Sequence, residues 1–208
     1  MRRHFAIFTF AVITGLLNAC FEADPRSVRG ALDQAARAVE QGDARELFKV
    51  IDARSRHALI SIVADRKRAV RTIAADYPPE ARAAALGRLG DAAEAKDAAD
   101  LFARRCREAC LGALAQTLAA PVSERRLAAR VLEVETARGG RLQLRKGDSW
   151  WGLVWREREL SDERDLASRE LRQIKENAAI HRRRRQLEAS LRPSGGGSWP
   201  GADAPAGP

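Results

Sequence analysis

The hydrophobic period of this chain changes twice, and those changes limit the fold more than any single motif. From Ser27 to about residue 118, apolar residues recur at helical spacing; from about 129 to 156 they alternate with polar ones; from about 161 to 191 the helical spacing returns. The expected fold is therefore α+β: N-terminal helices packed on a small antiparallel meander sheet, followed by a long C-terminal helix. Ser27 reads as the cap of a first helix carrying Val28, Ala31, Leu32, Ala35 and Val39, with Gly42 as its stop. Asp43 and Glu46 form a capping box for a second. Its apolar face continues through Ile62 and Ile73, with a break near 52–55, until Tyr77-Pro78-Pro79 ends it. Pro79 opens a third helix to about Leu89, and Asp97 with Asp100 opens a fourth running through Cys106, Cys110 and Leu114.

Two turn signals set the sheet register. A three-residue loop at Arg138-Gly139-Gly140 pairs Glu133 with Arg145, Val134 with Leu144 and Glu135 with Gln143. A two-residue turn at Gly147-Asp148 pairs Leu144 with Trp151 and Leu142 with Leu153. Both put Leu132, Val134, Leu142, Leu144, Trp151, Leu153 and Trp155 on one face, and Glu133, Glu135, Arg145 and Trp150 on the other.

The first 26 residues point to a location. Arg2, Arg3 and His4 precede an apolar run, Phe5 to Leu17, which at about 13 residues is short of the ~20 that cross a bilayer. A basic start, a short apolar core and a small residue before a cut read as a secretory signal. Leu17-Asn18-Ala19-Cys20 resembles the lipobox of bacterial lipoproteins, in which the cysteine becomes the acylated first residue. The resemblance implies a signal peptide over 1–19, lipidation of Cys20 and a tether over 20–26. Phe21, where that family's inner-membrane retention signal is Asp, implies an outer-membrane anchor facing the periplasm or the cell surface.

Net charge is +9, of which Arg2 and Arg3 supply two. Such a surplus suits anionic lipid or acidic partners, and the secretory signal removes nucleic acid from the list. Residues 193–208, rich in Gly and Pro, have too little apolar content to order themselves. One α+β domain over 27–192 remains. Its GD-x-x-x-L-F opening (Gly42 to Phe48), the curved sheet behind the helices and the Trp-rich last strand resemble nuclear-transport-factor-like cone folds of envelope lipoproteins. That resemblance covers about 27–156 and implies a ligand pocket behind Trp151.

No motif for catalysis, a cofactor or a metal occurs. His57 lies in a polar stretch and His181 at the end of the last helix's apolar stripe, Ala167, Leu171, Ile174 and Ala178. Glu133 and Glu135 point the same way, as an acid–base pair would, but cross-strand pairing with basic or amide neighbours is the simpler account. With Cys20 lipidated, Cys106 and Cys110 form an even pair in an oxidising compartment. Three readings stay open for them: two buried thiols, a local disulfide that needs the helix to unwind after Arg105, or a redox or metal site. The run Arg182, Arg183, Arg184, Arg185 is either an anionic-surface contact or a frayed solvated end. The expected role is a non-enzymatic, membrane-anchored binding or assembly module, its partners the membrane through Cys20 and an envelope protein or anionic lipid. The alternative is thiol-redox or metal handling at Cys106 and Cys110.

Overall fold

The computed structural model describes residues 24–191. Cys20, the signal segment and the tail from Pro193 lie outside them. The elements are α1 (Val28–Glu40), α2 (Ala44–Val50), α3 (Ala53–Asp76), α4 (Pro79–Gly87), α5 (Asp91–Glu94), α6 (Ala98–Arg105), α7 (Glu108–Thr117), β1 (Pro121–Ala128), β2 (Val131–Thr136), β3 (Arg141–Lys146), β4 (Trp151–Leu153) and α8 (Glu157–Leu191). This is the α+β arrangement read from the periods. The four strands form one antiparallel sheet in the order β1-β2-β3-β4.

The chain's contacts gather in two compact units, each built from two segments. In the first, residues up to Asp52 join Leu111–Val154. Here α1 and α2 pack on each other and on β4. Their buried residues include Ala31, Leu32, Ala35 and Leu47; the sheet supplies Leu132, Val134, Leu144 and Leu153. Each such aliphatic side chain contributes roughly 1.5–3 kcal/mol when fully buried.

The ladders keep the expected faces but not the expected partners. Leu132 faces Leu144, Val134 faces Leu142 and Glu133 faces Gln143; Leu144 faces Leu153 and Lys146 faces Trp151. Each register differs by two residues from the one the turns suggested. The loops have the expected lengths, but each sits one residue away, at 137–139 and 148–149, and Gly139 takes the left-handed φ of +74°. An even shift leaves every side chain on its face, so hydrophobic alternation cannot detect it.

Strand β1 has no signal in the sequence period. Its residues PVSERRLA have no apolar alternation and all but Pro121 are exposed, because β1 is an edge strand. At the other edge, the N–H of Asp52 donates to the carbonyl of Leu153 at 2.8 Å, and Ile51 bridges Leu153 in parallel. Gly152 makes this approach possible: a Cβ there would lie 2.6 Å from Asp52 Cα and 2.7 Å from the Trp150 ring.

The chain's first described residues are tied to the same strand. The Ser27 hydroxyl caps α1, accepting from the N–H of Gly30 at 3.0 Å, while the Asp24 carbonyl accepts from the N–H and hydroxyl of Ser27. The Trp151 N–H then donates to the Pro25 carbonyl at 2.9 Å. Gly30 leaves room for this turn, since a Cβ would come within 1.9 Å of the Asp24 oxygen. Gly30→Ala, ordinarily favourable inside a helix, is expected here to destabilise by about 1–3 kcal/mol through forced displacement of Asp24–Pro25. Urea unfolding reads the loss, and faster hydrogen exchange at the Trp151 amide locates it.

The second unit contains Ala53–Cys110 and the chain from Trp155 on. Helix α8 packs along α3, and Ala69, Ile73, Tyr77, Leu89, Leu171 and Ala178 form a buried cluster with Ile174 against it. The stripe read along the last helix is thus the packed one. A buried guanidinium on α3, Arg66, pairs with Glu170 on α8. Helix α8 starts at Glu157 rather than 161, directly after Arg156 at φ +44°. Trp155, expected to extend the last strand, lies beyond β4 and stacks edge-on against Phe102 with ring centroids 4.6 Å apart.

Candidate functional site

The sheet's charged face gathers polar side chains from β1, β2 and β3 in the first unit. On β2, Glu133 and Glu135 point outward together, and β1 brings up their partners. Arg125 donates to Glu133 at 2.7 Å and 3.2 Å through Nη2 and Nε, and the Ser123 hydroxyl donates to Glu135 at 3.3 Å. Arg141 stands opposite Glu135 in the ladder. Together they line a shallow groove of about 290 Å³. The carboxylates are therefore held by β1, the strand without a sequence signal, and Glu133 faces Gln143 rather than Arg145. These charges, half-buried on β2 and exposed on β1, form a paired polar surface.

Arg145 turns to Asp52 instead. Its Nη1 donates to Asp52 Oδ1 at 2.8 Å, with the Asp52 side chain 1 % exposed and that of Arg145 13 %. Asp52 carried one readable sign, a lone acid directly after the apolar pair Val50-Ile51.

Cys106 and Cys110 are joined by a disulfide with Cα atoms 5.0 Å apart. Helix α6 ends at Arg105, Cys106 leaves the helical region at φ −98°, ψ 68°, and α7 begins at Glu108. This interruption is the unwinding that a bond between residues four apart requires, and it splits the single helix read from the sequence. Cys106 is fully buried. Among the described residues, no group of three His, Cys, Asp or Glu side chains could hold a metal ion.

Immediately before that bond, Arg105 clamps two acids. It reaches Asp91 at 2.9 Å and Glu163 at 2.6 Å. The hydrogen bond from Arg105 holds the Asp91 carboxyl below its usual range against the opposing effect of burial, and the bond to Glu163 raises the guanidinium further above its own. Because the folded Asp91 pKa lies below the unfolded one, the pair's stabilisation is complete above about pH 4 and is lost as pH falls through the folded value. The raised Arg105 value has its consequence only in strong alkali. Half-exposed pairs contribute about 0.2–1 kcal/mol. Asp91→Asn is therefore expected to narrow, slightly but measurably, the gap between urea midpoints at pH 7 and pH 3.

The arginine run on α8 does not fray within the described residues. Arg182 and Arg185, one turn apart, converge on Asp76 at the end of α3: Arg182 binds its carboxylate at 2.5 Å, and Arg185 binds the Asp76 carbonyl at 2.6 Å and the carboxylate at 3.4 Å. Arg184 pairs with Glu188 at 2.8 Å. Arg183 stays exposed. His181 stacks on Tyr77 with ring centroids 5.0 Å apart. The exposed His57 lines a groove of about 380 Å³ with Arg54, Glu157, Ser161 and Arg164. Arg54 is paired there with Glu157, and Arg164 pairs with Asp165.

No helix among the described residues is long and apolar enough to cross a membrane. Comparison with family models, curated proteins and solved structures found no match to this chain.

Proposed function

We propose that this chain is a membrane-anchored lipoprotein of the bacterial envelope, held through an acylated Cys20, that works by binding or assembly and not by catalysis. The polar sheet face around Arg125, Glu133, Glu135 and Arg141 is its docking surface for another envelope component. The observation that carries the reading is the fixing of Asp24–Pro25 to β4, since it brings folded structure to within four residues of Cys20. A folded unit held so close to the anchor residue is suited to work at the membrane surface. Several acyl chains on one residue hold firmly, whereas one holds reversibly.

Thiol-redox or metal handling at Cys106 and Cys110 is the competing reading. The burial of Cys106 and its position at a helix break favour a structural crosslink there.

The test is metabolic labelling of the full chain with an alkyne fatty acid, followed by fractionation. The expected result is label on the membrane-bound wild type and none on Cys20→Ser. Wild type without label, recovered in the soluble fraction, would refute the anchor. For the surface, a photo-crosslinking amino acid at position 141 should trap one envelope component. Glu133→Arg with Glu135→Arg should abolish that product without changing the amount of folded protein. Equal trapping with and without the charge reversal excludes this face.

A further inference from the structure

The tether's attachment point has a chemical character of its own. Pro25 is hydrogen-bonded to Trp151 at the start of β4, beside the turn that joins β3 to β4. Clustered at this end of the sheet are two adjacent indoles, Trp150 and Trp151, both half-buried. Beside them stand the exposed Lys146, its ammonium 5.9 Å above the Trp151 ring, and Arg130, whose carbonyl accepts from the Lys146 N–H at 2.8 Å. Opposing them is Asp148, fully exposed and only loosely paired with Arg130 at 3.7 Å.

We infer that this end of the first unit's sheet, carrying Arg130, Lys146, Trp150 and Trp151, rests in the anionic headgroup layer of the bilayer that holds Cys20. The inference rests on the acylation of Cys20 proposed above. Three arguments converge on one occupant. The first is reach: four residues from Cys20 to Asp24 extend at most about 14 Å, so an anchored chain cannot lift this end far from the lipid. The second is composition, because indoles partition to the membrane–water interface, where an apolar ring and a polar N–H are both satisfied. The third is charge, since Lys and Arg near an anionic surface are attracted to it over about a Debye length. The arginine run on α8 has a weaker claim to this role, because Asp76 and Glu188 already engage Arg182, Arg184 and Arg185.

The experiment uses the full acylated chain, its Cys20 modification verified by intact mass, reconstituted in phosphatidylethanolamine–phosphatidylglycerol vesicles. A nitroxide is placed on Ser149→Cys in the β3–β4 turn or, for comparison, on Arg183→Cys. The label at 149 is expected to collide several-fold less with a water-soluble nickel chelate than the label at 183, and to gain collisions with oxygen. Arg130→Glu combined with Lys146→Glu should abolish that shielding while circular dichroism stays unchanged. Acylated protein with both labels equally open to nickel would overturn this inference and leave the anchor standing. A chain without acyl mass on Cys20 would remove both.

Discussion

Asp52→Ala is expected to destabilise the first unit by about 3–5 kcal/mol, the range found when one partner of a buried ion pair is removed. The reason is the charge left behind. Arg145 is 13 % exposed at its side chain and sits in the ladder opposite Gly152, so its guanidinium cannot swing freely into water. Arg145→Ala is expected to cost a similar amount, leaving a carboxylate that is 1 % exposed. Replacing both together by apolar residues, Asp52→Leu with Arg145→Met, should recover most of the loss, because neither buried charge is then left without the other. Urea unfolding of Asp52→Ala, Arg145→Ala and the two combined forms a double-mutant cycle. Additive losses would show that the two residues do not act as a pair.

Phe102→Ala should cost the second unit a comparable 3–5 kcal/mol, the usual penalty for emptying a buried aromatic site. Phe102 is 0 % exposed and gives Trp155 its edge-on partner. For a chain of this size, that is a fall in Tm of about 10 °C. The Trp155 emission should also move to the red as water reaches the indole. Phe102→Leu, which keeps most of the volume, should lose far less. A Phe102→Ala protein with wild-type Tm would show that α6 is not part of the unit's core.

The fold class was legible because period is a direct consequence of backbone geometry. Ala167, Leu171 and Ala178 could only line one side of a helix, and Leu132 and Val134 only one side of a strand. Register was half legible, since the alternation fixes whether a strand is shifted by an odd or even number and nothing finer. Strand β1 was hidden because an edge strand with an exposed surface has no reason to alternate, and Val122 and Leu127 are open to solvent at 61 % and 43 %.

The candidate site shows the same division. The joint outward direction of Glu133 and Glu135 follows from their spacing, but the identity of their partners depended on the unseen β1. Cys106 and Cys110 could be paired by arithmetic, while the helix break that allows the bond has no sequence signal such as proline or glycine at 106–107. The destination of Arg182 and Arg185 required knowing where α3 ends, which spacing along α8 cannot supply.

The hydrogen bond from Trp151 to Pro25 joins residues far apart in the sequence and has a kinetic consequence. As the chain is synthesised, Pro25 is made long before the strand that fixes it. Loop-closure entropy has to be overcome before that distant contact can form, and chains dominated by such contacts fold slowly. The bond to Pro25 thus forms only after β4 has been made and paired with β3. Formation of that hydrogen bond would then report that the sheet is complete.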